Sequence, residues 1–368
     1  MTLALRSGCE AHCPGCRHRT LSGDDSLRQK YQFLASQLEP WQAQLQPVAS
    51  VTGEQRWGYR DRVQLSCAWQ QGWRAGLRRR DELIPIPHCP VQSPRVRRAL
   101  ALLLPLLPPP EQDFQLAYWV QSGAQLVLVL KQAALPECPW LSAHLWAQLQ
   151  HLGIEGLWLH LHPSAGRKVL AKPGWHLLRG AAYSRDASGL IHGPAAFQQL
   201  LPQLFNQALD CAETFLQPSA STRVLDLYSG SGSSLRRWHQ HGAAVLGVEI
   251  SAAAIDCAAR NVPEAPILRG SCENRLPQLE QWRRENSNAH YLLYTNPPRT
   301  GMESAVTDWV AQQLRPTRIA YLSCSAGTLA RDLAQLTASG YRVETLQPFD
   351  FFPQTHHVET LALLQREG

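Results

Sequence analysis

Two side chains near the C-terminus have the types and the setting for a joint reaction. Cys324 stands in Ala320-Tyr-Leu-Ser-Cys-Ser-Ala-Gly-Thr-Leu-Ala-Arg-Asp-Leu333, where a short apolar strand runs into a helix around Gly327-Thr328. A thiol at such a strand end lies near helix N–H groups, which favour the thiolate. Glu359 follows an aromatic, proline-containing loop and begins a closing strand, in Pro348-Phe-Asp-Phe-Phe-Pro-Gln-Thr-His-His-Val-Glu-Thr-Leu-Ala-Leu-Leu364. A pyrimidine gives this pair a common task. Carbon 5 of uracil is a poor nucleophile until a thiolate adds at carbon 6 and makes it enolate-like. It can then attack a sulfonium methyl group, such as that of S-adenosylmethionine. A base must afterwards take the carbon-5 proton so that the thiol is eliminated. Cys324 is the candidate nucleophile and Glu359 the candidate base; the plain alternatives are a buried structural cysteine and a surface glutamate.

A methyl donor needs its own site. Val224-Leu-Asp-Leu-Tyr-Ser-Gly-Ser-Gly-Ser-Ser-Leu235 reads as a strand, a glycine turn and a helix. Gly230 and Gly232 let the backbone approach a ligand closely. The next strand, Val245-Leu-Gly-Val-Glu-Ile250, ends in Glu249, where a carboxylate would hold a ribose diol. Dinucleotide folds share this logic, and a tight turn beside a surface acid is the simpler alternative. The acid-Leu-aromatic-x-Gly-x-Gly form nevertheless resembles class I methyltransferases more than dehydrogenases. A third segment, Thr295-Asn-Pro-Pro-Arg-Thr-Gly-Met302, follows an apolar strand and sets an amide at the carboxyl edge of a sheet, in the ligand crevice.

The other chemical cluster is N-terminal. Cys9-x3-Cys13-x2-Cys16 is too tight for chance burial. Four thiolates normally hold an iron–sulfur cluster. Zinc is the alternative, bound by four cysteines or by three with His12, His18 or His88. Radical S-adenosylmethionine enzymes use this same spacing, but they place an aromatic residue where Gly15 stands, and this chain carries a separate site for the methyl donor. Cys67 is a poor fourth ligand because it sits within a strand pattern.

These residues need two domains to position them. The 368 residues are too long for one ordinary domain, and 44% hydrophobic against 17% charged residues excludes disorder as the default. No apolar run spans a bilayer, and the N-terminus lacks the features of a signal peptide, so a cytoplasmic enzyme is expected. In that compartment the ten cysteines point to metal, catalysis or burial rather than disulfides. We expect an N-terminal and central β-rich region over 1–190, carrying the cysteine cluster, and a doubly wound α/β sheet over 191–368. Within the first, Ser26–Gln46 reads as a helix able to pack on the second domain. Strand patterns follow at 63–69, 73–77, 116–120, 126–130 and 157–162. In the second, apolar strands at 224–228, 244–250, 291–295 and 319–323 alternate with helices at 252–261 and 328–339. There is no internal repeat. Charge is uneven: residues 1–190 hold 21 Lys+Arg against 13 Asp+Glu, and residues 191–368 hold 14 against 16. All but four of the cations are Arg, which suits phosphate forks and base stacking.

Taken together, the three C-terminal segments resemble the iron–sulfur-containing RNA 5-methyluridine methyltransferases. That family's pattern is Asp/Asn-Pro-Pro-Arg-x-Gly, Ser-Cys-Asn-x-x-Thr-Leu-Ala-Arg-Asp and Phe-Pro-x-Thr-x-His-x-Glu. The resemblance implies that Cys324 is the nucleophile and Glu359 the proton acceptor. It implies S-adenosyl-L-methionine contacts from Gln199 (in Pro194-Ala-Ala-Phe-Gln-Gln), Tyr228, Glu249 and Asn296. It also implies a 4Fe-4S cluster with a structural or RNA-recognition role, on Cys9, Cys13, Cys16 and Cys89, the last in Ile86-Pro-His-Cys-Pro90. Ser325 replaces the usual Asn, Leu201 an Asn that often follows the Gln, Ser271 an Asp and Asp61 an Asn. Many members carry an N-terminal TRAM barrel, for which this chain leaves no room before Cys9.

The expected partner is RNA, with a uridine flipped or already unpaired. The short chain and Asn-Pro-Pro-Arg favour 23S ribosomal RNA over transfer RNA. Arg60, Arg62, Arg78–Arg80 and Arg95, Arg97 and Arg98 are the candidate phosphate contacts. No membrane or obligate protein partner is indicated. A DNA cytosine methyltransferase would need a Pro-Cys nucleophile after the glycine motif, and none is present. A catalytically weak RNA-binding paralogue would have no use for both Cys324 and Glu359.

Overall fold

The computed structural model describes residues 3–286 and 289–367. The chain divides into two compact units, Met1–Ser22 with Thr52–Leu200, and Gly23–Val51 with Leu201–Gly368. In chain order the first helix, α1 (Gly23–Gln37), therefore belongs to the second unit. It is shorter than the expected Ser26–Gln46: Pro40 lacks the N–H a helix needs, and a looser 3-10 turn over Glu39–Gln44 takes over.

The first unit is built on a seven-stranded sheet. Its strands are β1 (Arg62–Trp69), β2 (Trp73–Arg79), β3 (Glu82–Pro85), β4 (Leu116–Ser122), β5 (Gln125–Leu130), β6 (Gly156–Leu161) and β7 (Trp175–Gly180), in the order β3-β2-β1-β4-β5-β6-β7. All neighbours are antiparallel except β5 and β6. That parallel pair needs a crossover, which α3 (Ala143–His151) supplies; the earlier helix α2 (Pro94–Leu103) lies between β3 and β4. Both helices start on a serine cap, Ser93 accepting from the Val96 N–H and Ser142 from that of Leu145. A two-stranded ribbon, β8 (Ser184–Arg185) and β9 (Ile191–His192), closes the unit.

The second unit continues with α4 (Pro202–Leu216), β10 (Thr222–Leu227), α5 (Ser233–Gln240), β11 (Ala244–Glu249), α6 (Ala252–Asn261), β12 (Ile267–Arg269), α7 (Leu276–Glu285), β13 (His290–Thr295), α8 (Ser304–Trp309), β14 (Arg318–Ser323), α9 (Ala326–Ala338), β15 (Tyr341–Phe349) and β16 (Glu359–Arg366). The sheet order is β12-β11-β10-β13-β14-β16-β15. The five strands β10 to β14 are parallel, and β16 inserts antiparallel between β14 and β15. Helices cover the sheet, so the middle strands read as continuous apolar runs, buried on both faces. Leu34 and Leu38 of the α1 segment are fully buried in this core. Lys30 of α1 forms a buried ion pair with Asp350, at the end of β15, and Ser50 donates to the same carboxylate at 3.0 Å. This is an α/β fold built on two mixed sheets. No helix among the described residues is long and apolar enough to cross a membrane.

Candidate active site

Chain order and register bring the chemical residues to one edge. After β10 the chain fills the sheet outward through β11 and β12, then returns to the other side of β10 with β13. The β10/β13 boundary is thus the topological switch point, where α/β sheets bind ligands at the carboxyl ends of their strands. Leu227 pairs with both Val248 and Thr295, so Tyr228, Glu249 and Asn296 leave the sheet side by side. The Asn296 N–H donates to the Leu227 carbonyl at 3.3 Å. One strand further on, Ser323 pairs with Thr360. Cys324 follows the first and Glu359 precedes the second, so the antiparallel ladder sets them at the same end.

The two are close enough for the charge of Glu359 to act on the Cys324 thiol. Glu359 is 5% exposed, and burial lifts its carboxyl to about 7, with Arg299 pulling the other way. The Cys324 thiol is pushed up, first by burial and then by Glu359; Arg299 opposes this both as a charge and as a hydrogen-bond partner. Against the burial and the Glu359 charge that favour the thiol, the Arg299 cation and the Cys324 backbone N–H, just before α9, both favour the thiolate.

Arg299 was not singled out as a site residue from sequence, and its position has a clear cause. The loop after Asn296-Pro-Pro is pinned onto α9. Thr328 Oγ1 donates to the Arg299 carbonyl at 3.2 Å, and Arg331 donates to the carbonyls of Thr300 and Met302 at 3.0 and 3.1 Å. The fully buried Asp332 accepts from the Met302 N–H at 3.0 Å and from the Tyr321 hydroxyl at 2.6 Å. Gly301 allows this closeness: its φ is +77°, and a Cβ there would lie 2.5 Å from an Arg331 nitrogen and 2.7 Å from an Asp332 oxygen. The Arg-Asp pair of the second motif thus holds the loop of the first. Ser325, the departure from Asn, donates its N–H to Ser323 Oγ at 3.2 Å.

The donor cradle has the expected form. Gly230 has φ +56° and open space where a side chain would be, leaving the backbone accessible to a ligand. Glu249 accepts from the Gly230 N–H at 2.9 Å and the Ser251 N–H at 2.6 Å. A carboxylate has about four acceptor positions, so a diol can still bind. Tyr228 takes a left-handed φ of 60°, uncommon outside glycine and a mark of functional turns. Its hydroxyl donates to Glu303 at the start of α8, a partner that sequence reasoning missed. Ser271 accepts from the Asn274 N–H at 3.2 Å and shapes the following turn. Gln199 lies in the first unit, and its side-chain oxygen is buried without a partner.

In the first unit, the four cysteines gather. Cys9, Cys13, Cys16 and Cys89 each feel the others: all six pairs interact electrostatically, and burial with this mutual repulsion pushes Cys16 up to about 12. Arg19 ties the loop together, donating to the carbonyls of Ala11, Cys13 and Cys16. Gly8 brings it against the Cys89 segment, since a Cβ there would lie 2.2 Å from the His88 carbonyl oxygen. Cys67 is buried in β1, outside this group. Among the described residues no three His, Cys, Asp or Glu converge tightly enough to hold a single metal ion. Of the proposed phosphate contacts, Arg95 pairs with Asp61 at 3.4 Å and Arg62 lies over the Phe197 ring at 5.1 Å. Asp61 also accepts from the α2 cap Ser93.

Comparison with known proteins agrees with this layout. The family model described as tRNA (Uracil-5-)-methyltransferase matches residues 193–367. The chain is 31% identical to the 23S rRNA (uracil(1939)-C(5))-methyltransferase RlmD of Pseudomonas entomophila, over 96% of this chain and 78% of that protein. It is 29% identical to the uncharacterized RNA methyltransferase tlr0942 of Thermosynechococcus vestitus, over 96% and 82%. Its fold is similar to that of the Pyrococcus abyssi tRNA (uracil-54, C5)-methyltransferase, solved with S-adenosyl-L-homocysteine, with a TM-score of 0.73, 22% identity and coverage of 96% and 86%.

Proposed function

The chain belongs to the RNA (uracil-5-)-methyltransferase family and is an S-adenosylmethionine-dependent enzyme, and from that premise we propose that it converts a uridine of 23S ribosomal RNA to 5-methyluridine. The carrying observation is the placement of Cys324 and Glu359 at one end of the β14–β16 ladder, each acting on the other's environment. The 23S specificity of named relatives supports the choice of RNA.

In the proposed reaction the uridine enters the edge unstacked. The Cys324 sulfur forms a bond to carbon 6, with Arg299 stabilising the thiolate before attack. The electron pair this places on carbon 5 forms the new carbon–methyl bond. S-adenosylmethionine supplies the methyl group from its sulfonium and leaves as the thioether. Glu359 then takes the carbon-5 proton, the ring double bond re-forms, and Cys324 departs as thiolate. A carboxyl lifted to about 7 is suited to this step, being ionised enough to accept and basic enough to hold the proton. Glu249, Tyr228 and Asn296 would hold the donor; Gln199 is added by the family motif alone.

The four N-terminal thiols are proposed to bind an iron–sulfur cluster. The four thiols act on one another electrostatically in every pairing, and four thiolates are the donor set that normally holds such a cluster. Its role here is structural, tying residues 9–16 to Cys89.

The test is to incubate anaerobically purified protein with labelled S-adenosylmethionine and unmodified 23S ribosomal RNA or transfer RNA, then identify the labelled nucleoside. Label in 5-methyluridine of 23S RNA, abolished by Cys324→Ala, is expected. Label only in transfer RNA moves the substrate assignment, and none in either refutes the proposal.

A further inference from the structure

A cavity of about 430 Å³ opens in the first unit between the β2–β3 hairpin and α2; Pro87 and His88, next to Cys89, form part of its lining, and none of the residues placed in the reaction lines it. We propose that it is a docking subsite for one unpaired nucleotide of the RNA strand, remote from the uridine that reacts. This rests on the RNA reading above and adds a second point of grip.

The lining sorts into two parts. Trp73, Ala101 and Leu104 belong to apolar walls, and Arg74, Arg97 and Arg98 stand at the same cavity. No Asp or Glu lines it, and among the described residues none of these three arginines is paired with a carboxylate, unlike neighbouring Arg95. The volume falls within the roughly 300–1,000 Å³ typical of small-ligand sites. The Trp73 ring is fixed: its indole N–H donates to the Pro108 carbonyl at 2.7 Å, and Trp69 packs edge-on at 5.4 Å. An apolar-walled cavity beside unpaired guanidinium groups matches a nucleotide in both its halves. The base meets aromatic, aliphatic and guanidinium planes, and the phosphodiester meets guanidinium forks. A neutral apolar ligand would leave the three cations unexplained, and a free phosphate would leave the apolar walls unexplained. Single-stranded RNA carries both chemistries on one unit.

Two variants of the full-length, anaerobically purified protein separate the halves. Binding of an unmodified 23S ribosomal RNA transcript is measured by filter retention across a salt series, so methylation is not needed for the readout. Arg97→Ala/Arg98→Ala should weaken binding about tenfold and flatten the slope of log K against log[salt] by about 1.4, from roughly 0.7 per lost single-strand contact. Ala101→Trp, at an exposed helix position, should fill the cavity and weaken binding about fivefold with the slope unchanged. Both should keep the wild-type melting temperature. If the arginine pair matters and Ala101→Trp is neutral, the face is merely basic and the subsite is refuted. If neither variant changes affinity, it is refuted outright. A wild-type protein without affinity for the transcript refutes the RNA reading itself, a result distinguishable because no variant enters it.

Discussion

Replacing Glu359 with glutamine should separate the stability of the fold from its chemistry in one variant. The carboxyl is 5% exposed, and its pKa of about 7 compares with an ordinary 4.5. In the folded chain the group holds its proton more tightly than in the unfolded chain. Between about pH 4.5 and 7 the folded state therefore binds more protons, and stability falls as pH rises through that window. At about 1.4 kcal/mol per unit, the ionised form destabilises the fold by about 3 kcal/mol once both states have titrated. Glutamine keeps the shape and cannot ionise. Relative to wild type, Glu359→Gln should gain about 2.5 kcal/mol between pH 5 and pH 8, read by urea unfolding of the second unit. In a melt this is roughly 5–10 °C for a unit of this size. Taking the difference from wild type removes Asp226, also fully buried and lifted to about 7, which would otherwise add a slope of the same sign. With RNA and S-adenosylmethionine, the same variant should stall after methyl transfer, because the carbon-5 proton has no acceptor. A covalent protein–RNA adduct resistant to denaturing gels is the expected readout. A difference in stability that stays flat with pH refutes the burial argument, and normal turnover refutes the role of base.

Lys30→Met should destabilise the second unit by about 3–5 kcal/mol, because it leaves the Asp350 carboxylate buried without its cation; a denaturant midpoint unchanged from wild type would contradict this. Gly301→Ala should abolish methylation and lower the melting temperature, since the left-handed backbone and the contacts with Arg331 and Asp332 leave no place for a Cβ; full activity would overturn the account of the loop. Cys16→Ser should strip iron and visible absorbance from anaerobically purified protein, whereas Cys67→Ser should leave both intact. Equal iron loss from the two would break the ligand assignment.

Much of the edge is legible in the sequence because its signals are local. Strand, glycine turn and helix follow within a dozen residues around Gly230, and the strands entering Asn296 and Cys324 are short apolar runs bounded by polar turns. For the N-terminal helix the length, not the packing, was the harder part: the segment joins the second unit as expected, but its apolar spacing continues to Trp41 whereas Pro40 ends the α-helix at Gln37. Partners distant in sequence were not legible. Lys30 and Asp350 are 320 residues apart, and nothing near either residue signals the other. Arg299, Glu303 and Asp332 likewise read as motif filler or surface charge until the loop is seen folded onto α9. The helix start beside Cys324 can be read from sequence, whereas the burial that opposes the thiolate comes from the whole core.

The three C-terminal motifs are mechanically one object, and this explains why the site tolerates groups that weaken the fold. A buried carboxyl at Glu359, another at Asp226 and a left-handed tyrosine at Tyr228 all lie on or beside the carboxyl edge of the parallel strands. Each is unfavourable locally, so the surrounding structure must hold it in place. Asp332 and Arg331 of the second motif fix the loop of the first, and with it the Arg299 cation that Cys324 and Glu359 both face. Lys30, from the far end of the chain, neutralises Asp350 in the third motif, directly beyond the strand residue that pairs with Glu359. Among the described residues Glu359 has no direct ion pair, while Asp350 and Asp332 are held by Lys30 and Arg331. An arginine salt-bridged to Glu359 would make a firmer protein and a poorer base, because lowering its pKa removes the affinity for the carbon-5 proton on which product release depends.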